Sequence, residues 1–122
     1  MIYGIGIDIV SIDRIKRILG KYPKRFPKRI LHPQEYTDYS KRQDKAAFLA
    51  RQFAAKEAVS KAMGRGFTGN LHPKSILIKR DQYGKPYAIL NQTAEQATEQ
   101  TVLVSISDEA TYAIAQAIIV KP

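Results

Sequence analysis

Cysteine is absent from this 122-residue chain, and no apolar run approaches the length that a membrane-spanning helix needs. The first absence excludes disulfides and thiolate chemistry and fits a reducing compartment, so a cytoplasmic location is expected; the second leaves no membrane span to expect. Histidine is scarce. His32 and His72 each precede a proline, with no second histidine nearby, so zinc-ligand spacing is missing and both read as loop residues. The opening MIYGIGIDIV has no basic stretch ahead of its apolar residues, carries Asp8 among them and shows no small-residue cleavage site, which argues against a signal peptide. Repeats and linkers are missing too. Residues 1–122 are therefore expected to form one domain, long enough to bury a core without a metal or disulfide staple.

Acidic residues are missing from Arg14 to Gln34, a stretch in which Arg14, Lys16, Arg17, Lys21, Lys24, Arg25, Lys28 and Arg29 supply eight positive charges. The remaining twelve basic and eleven acidic residues nearly cancel, so this stretch accounts for most of the net charge of +9. A field so localised steers a negatively charged partner: nucleic acid, an anionic membrane or an acidic protein. Composition does not choose among them.

The strongest helix signal runs from Phe48 to Phe67. Ala55, Ala58, Val59, Ala62 and Met63 follow the i, i+3, i+4 spacing of a buried face, which Ala47 and Phe48 extend backwards. Glu57 and Lys61 stand four apart, pointing away from that stripe, while Ala50, Phe53 and Ala54 give them an apolar frame. An acid and a base so framed suggest a cleft, and an ordinary i, i+4 pair is the alternative. The helix stops at Gly64-Arg65-Gly66, a turn that glycine permits and that could present backbone N–H groups and the Arg65 charge to a phosphate.

Around this helix the patterns are shorter. Ile2 to Val10 alternates as a strand, with Ile5, Ile7 and Ile9 on one face and Gly4, Gly6, Asp8 and Val10 on the other. The two glycines leave the backbone bare toward Asp8, as close packing or a bound ligand would require. Ser11 is placed to cap a helix ending near Gly20, a short basic helical segment follows as far as Leu31, and another helix spans Gln34 to Ser40. Lys41, Arg42 and Lys45 then offer anion contacts in a polar connection. Ser75 to Arg80 and Pro86 to Leu90 form a hairpin turning at Gly84, 91–100 is polar, and Thr101 to Ser107 pairs with Tyr112 to Val120. Ala113, Ala115 and Ala117 share one face, small enough to admit the long helix. The expected fold class is α+β, a mainly antiparallel sheet packed on one long central helix.

Taken together and in order, GIGIDIVSIDRI, RQFAAKEAVSKAMGRGF, YGKPY and VLVSIS resemble the small single-domain class of 4′-phosphopantetheinyl transferases, the holo-[acyl-carrier-protein] synthases. The resemblance covers nearly the whole chain, and its pairing of an early GxDI with a later FAxKEAxxKAxGxG needs two separated motifs at the right distance. It implies the phosphopantetheinyl transferase fold and transfer of the 4′-phosphopantetheine group from coenzyme A to a serine of apo acyl carrier protein, releasing 3′,5′-ADP. Asp8 and Glu57 then match carboxylate ligands of Mg²⁺, and Lys61 matches a lysine beside the phosphates. Such a metal, held by few carboxylates and by phosphate oxygens, suits a transfer that depends on positioning and charge neutralisation. Gly64, Arg65, Gly66 and Pro86 match segments near coenzyme A. The basic first helix matches a docking surface for the acidic carrier protein, with Arg14, Lys21 and Arg25 pairing with carboxylates and Ile15, Ile18 and Phe26 giving apolar contact. A homotrimer with active sites between subunits is also implied.

Three positions depart from the family's pattern. Gln52 stands where a basic residue is usual, Asp108-Glu109 replaces His-Thr, and the basic pair before the long helix is partly lost around Gln43, Asp44 and Lys45. In the family these positions lie near the 3′-phosphate end of coenzyme A, so nucleotide affinity is expected to be weakened or rearranged unless Lys41, Arg42 or Lys45 compensates. An impaired homologue that binds coenzyme A or carrier protein without turnover, and a basic nucleic-acid-binding module, are the competing readings.

Overall fold

The computed structural model describes residues 1–64, 66–67, 71–90 and 100–122. The chain begins with a ten-residue strand, β1 (Ile2–Ser11), in which alternation decides the architecture. Ile5, Ile7 and Ile9 point outward and are 62%, 57% and 61% exposed, while Gly6 and Val10 are buried. The Ser11 side chain accepts from the Arg14 N–H at 3.2 Å, capping α1 (Ile12–Lys21). Two shorter helices follow, α2 (Arg25–Ile30) and α3 (Pro33–Lys41), the second opened by His32, whose Nδ1 accepts from the Gln34 N–H. The long helix α4 (Lys45–Ala62) comes next, ending as Gly64 takes φ +78°.

The other strands are β2 (Ile76–Arg80), β3 (Pro86–Leu90), β4 (Thr101–Asp108) and β5 (Tyr112–Val120). Among the described residues they join β1 in one antiparallel sheet ordered β1-β5-β4-β3-β2. The β2–β3 hairpin turns where the sequence predicts: Asp81 Oδ1 accepts from the N–H groups of Tyr83 and Lys85, and Gly84 has φ +83°. The polar stretch 91–99, expected to be a short helix or loop, lies outside the described residues, as does Arg65.

Helix α4 lies across one face of this sheet. Ala113, Ala115 and Ala117 of β5 are at most 1% exposed and let it approach closely. The far side of the helix is covered as well, by α1 to α3, so Leu49, Ala50, Ala54, Ala55, Ala58 and Val59 are all 0% exposed. A single apolar stripe with a cleft-facing opposite side is therefore not what forms. Ala50 and Ala54 frame no cleft; they are core.

One buried ion pair closes the end of the structure opposite β1. Lys56, fully buried, donates to Glu35 Oε1 at 2.6 Å and to the carbonyl oxygens of Ile30, Pro73 and Ile76. Glu35 in turn accepts from the N–H groups of His32 (3.0 Å) and Ile78 (2.7 Å). Because β2 is an edge strand, its outward N–H at Ile78 and C=O at Ile76 would otherwise lack sheet partners; the pair takes the place of a sixth strand. Burial pushes the Lys56 ammonium below its ordinary pKa, and Glu35 partly restores it.

Candidate active site

Asp8, Glu57 and Lys61 come together where β1 passes beneath α4. A Cβ built on Gly4 would fall 1.9 Å from the Ala62 carbonyl oxygen, and one on Gly6 would fall 2.0 Å from that of Ala58. Strand and helix therefore run in opposite directions in direct contact, and two strand residues (about 6.6 Å) keep pace with four helix residues (about 6 Å). The next step brings Asp8 beside the turn from Ala54 to Glu57. Helical side chains lean toward the helix N-terminus, so Lys61 reaches back to the same place. Its Nζ donates to Asp8 Oδ1 at 2.9 Å and to the Ile7 carbonyl oxygen at 3.0 Å. The bare glycine backbone thus serves close packing, and that packing delivers Asp8 to the helix.

Lys61 directs its charge across to β1 instead of along the helix to Glu57. The Glu57 carboxyl is raised above its ordinary pKa, mainly by burial and then by the Asp8 charge, with Lys61 offsetting part of this. Two acids near enough for the charge of one to act on the other, with Glu57 partly buried, form a place that favours a positive ion. Among the described residues no third His, Cys, Asp or Glu joins them. Two hard oxygen donors with the rest of the coordination left to phosphate and water suit Mg²⁺ and fit poorly to zinc or calcium, which take more protein ligands.

The remaining expected contacts are placed elsewhere in the chain. Lys45, at the start of α4, is twelve residues from Glu57, about 18 Å along the helix. Its Nζ donates to the carbonyl oxygens of Ser40 and Arg42. Arg42 gives Asp44 two hydrogen bonds (2.7 and 3.0 Å), meets Asp38 at 3.7 Å and lies over the Phe48 ring. Lys41 is exposed. Pro86 opens β3, three strands from β1, about 14 Å across the sheet. Gly66 is exposed, and a Cβ there would meet nothing within 4 Å. Of the docking residues, Arg14, Lys21 and Arg25 are exposed and Ile18 and Phe26 half-buried. Ile15 is a correction: at 1% exposure it belongs to the core, because α1 turns that edge of its stripe onto α4, and it offers nothing to a partner.

Sequence reasoning missed Arg51. Its guanidinium, 16% exposed, bridges Asp44 (3.1 Å) and Asp108 (3.0 Å), tying the first half of α4 to the end of β4. Hydrogen bonds from Arg42 and then Arg51 hold the Asp44 carboxyl well below the usual carboxylate range. Asp108 is therefore a paired charge. The sequence offered only an acid at 108 and an arginine beside Gln52, fifty-seven residues apart and with no shared pattern. A cavity of about 780 Å³ between α2, α3 and the β2–β3 hairpin, lined by Leu31, Tyr36, Leu77 and Ile89, lies apart from Asp8 and Glu57.

The family model described as the 4′-phosphopantetheinyl transferase superfamily matches residues 4–117. A holo-[acyl-carrier-protein] synthase of Dechloromonas aromatica is 43% identical over 122 residues, covering 98% of each chain. Among solved structures, the holo-[acyl-carrier-protein] synthase of Neisseria meningitidis aligns with TM-score 0.91 at 38% identity, covering 99% of this chain and 100% of its own. That of Bacillus anthracis, solved in complex with coenzyme A (3′,5′-ADP), aligns with TM-score 0.86 at 36% identity, covering 100% and 99%. With the family model spanning most of its length and β1 and α4 carrying the paired acids of the site, the chain belongs to the 4′-phosphopantetheinyl transferase superfamily.

Proposed function

We propose that this chain transfers the 4′-phosphopantetheine group of coenzyme A to a serine of apo acyl carrier protein, with residues 1–122 working as one phosphopantetheinyl transferase domain. The observation that carries the reading is the meeting of Asp8 and Glu57 across the glycine-lined contact of β1 with α4, in a chain similar to synthases solved with coenzyme A bound. The serine oxygen forms a bond to the phosphorus of the arm, the diphosphate bond breaks, 3′,5′-ADP leaves, and the serine proton passes to a base. Asp8 and Glu57 would hold Mg²⁺, which would supply charge neutralisation at the diphosphate when bound. Lys61, half-exposed beside them, adds a positive charge for the leaving phosphate. Gly64, Arg65, Gly66, Pro86, Lys41, Arg42 and Lys45 complete the coenzyme A contacts.

Two further assignments belong to the same reading. Arg14, Lys21 and Arg25 attract an acidic carrier protein and Ile18 and Phe26 contact it; each rim pair contributes little in salt water, so together they chiefly raise the association rate. The outward face of the sheet, with Ile5, Ile7, Ile9, Leu103 and Ile114 all more than a third exposed, is the contact between copies of a homotrimer. Ile7 and Ile9 flank Asp8 in β1, so a copy on that face stands one strand's thickness from the paired acids, and the site lies between subunits. Among the described residues no helix is long and apolar enough to cross a membrane, and the protein works in the cytoplasm.

The direct test mixes the protein with apo carrier protein, coenzyme A and Mg²⁺ and looks for the mass of one phosphopantetheine arm on the carrier. The gain is expected with the metal and absent without it, and Asp8→Ala or Glu57→Ala should abolish it while leaving the fold. Full turnover by either variant refutes the metal assignment. Nucleic-acid binding explains the basic helix but gives Asp8 and Glu57 no work.

The Arg51–Asp108 bridge favours a rearranged nucleotide end over a lost activity. In Asp108→His, Arg51 keeps Asp44 but loses its second carboxylate, which leaves one side of the guanidinium for phosphate, and 3′,5′-ADP should bind about two- to five-fold more tightly, the scale of one exposed ion pair. Calorimetry with 3′,5′-ADP decides it, and unchanged affinity removes Asp108 from the nucleotide site.

Glu57 also sets a pH dependence. Its folded pKa lies above the unfolded value, so between the two the folded chain binds more protons, and the metal-free fold loses stability as pH rises through that window. At neutral pH Glu57→Gln should therefore melt higher than the native chain in chelator, and should lose the stabilisation that Mg²⁺ with coenzyme A gives. A lower melting temperature in chelator would contradict the strained, partly buried carboxylate.

A further inference from the structure

We infer that Lys61 is the site's internal counter-ion, a side chain that holds the cation's place on Asp8 until a divalent ion displaces it and that then turns to the donor's phosphates, coupling the two binding events. The inference rests on the metal reading above. Its basis is the contrast between two lysines five residues apart on one helix. Lys56 is 0% exposed and locked by Glu35 and three carbonyl oxygens. Lys61 is 52% exposed, and its contacts, Asp8 Oδ1 at 2.9 Å and the Ile7 carbonyl oxygen at 3.0 Å, both lie on β1. Its stem starts at the contact with Gly6, but the outer half of the side chain is exposed, and a rotation there frees the ammonium.

The position it fills is the one that matters. Asp8 is 16% exposed and close enough to Glu57 for the two charges to repel, so the pair needs a positive partner whether or not metal is present. Lys61 supplies one charge to one of the two acids. A divalent cation supplies two charges to both, so it wins the place and leaves the ammonium beside a metal already facing the diphosphate. Because the Lys61 end of the pair is half-exposed, water takes up the freed ammonium while the incoming cation keeps the less exposed Asp8 paired. By linkage, whatever frees Lys61 for phosphate makes the donor bind more tightly, and the donor returns the same factor to the metal.

The test uses Mn²⁺ as the probe, titrated by electron paramagnetic resonance into native protein, Lys61→Met, Lys61→Gln and Asp8→Asn, with and without coenzyme A. Without coenzyme A, both Lys61 variants should bind Mn²⁺ about two- to five-fold more tightly than native protein, the size of the lost competition. With coenzyme A, its enhancement of Mn²⁺ affinity should be smaller in both variants than in native protein. Equal or weaker binding of Mn²⁺ alone by the Lys61 variants, or an unchanged enhancement, overturns the counter-ion role. Native-like Mn²⁺ affinity in Asp8→Asn overturns something different, the placement of the metal itself, and the two failures are separately visible.

Discussion

Alanine at position 6 should destabilise the fold by about 3 kcal/mol, near the top of the range for an overpacked core, and remove transfer activity with it. The new methyl carbon would stand 2.0 Å from the Ala58 carbonyl oxygen and 2.6 Å from the Ala62 nitrogen. Both are backbone atoms of α4, so no rotamer relieves the clash and the helix itself must move. Moving it separates Glu57 from Asp8, which couples the loss of stability to a loss of chemistry. Gly4→Ala, at 1.9 Å from the Ala62 carbonyl oxygen, should behave alike. Gly20 is the control: it lies within α1, a Cβ there meets nothing within 4 Å, and alanine should be neutral or stabilising by up to about 1 kcal/mol. Urea unfolding midpoints for the three variants test this, and a native-like Gly6→Ala would mean that β1 and α4 are not in contact.

Lys56→Met is the second large effect, a loss of about 3–5 kcal/mol, because it leaves the Glu35 carboxylate buried without its cation. Replacing both partners with apolar residues often repairs such a loss. Here it should not. The pair also serves the buried carbonyl oxygens of Ile30 and Ile76 and the buried N–H of Ile78, each of which would lose its partner at about 1–3 kcal/mol, besides the part-buried Pro73 carbonyl and His32 N–H. A Lys56→Met, Glu35→Leu double variant should therefore remain at least as unstable as the single one. Recovery to native stability, read by urea unfolding, would show that the pair holds only itself.

These two predictions mark what the sequence could and could not reveal. Strand β1, the Ser11 cap, the β2–β3 hairpin and the β4–β5 pair follow from local rules, period two and turn chemistry at Asp81 and Gly84, and all form as expected. The alternation of β1 shows two different faces without saying which is covered. Glycine decides it, since only the face with Gly4 and Gly6 admits a helix backbone, leaving the three isoleucines outside. Lys56 could not be read: its acid is twenty-one residues away and its other partners are backbone atoms, which carry no pattern. Ile15 and Ile18 share one stripe of α1, and periodicity alone does not tell the core position from the one nearer the surface. Lys61 and Glu57 illustrate the limit of spacing within a helix. Their i, i+4 relation was correct, but the stronger partner of Lys61 came from β1, fifty-three residues away.

The shared-cation site is tested most directly by crystals of the protein grown with coenzyme A and Mn²⁺, using the anomalous scattering of manganese. One peak is expected, within about 2.2 Å of a carboxylate oxygen from Asp8 and another from Glu57. A manganese bound by only one of these acids, or by neither, would contradict it.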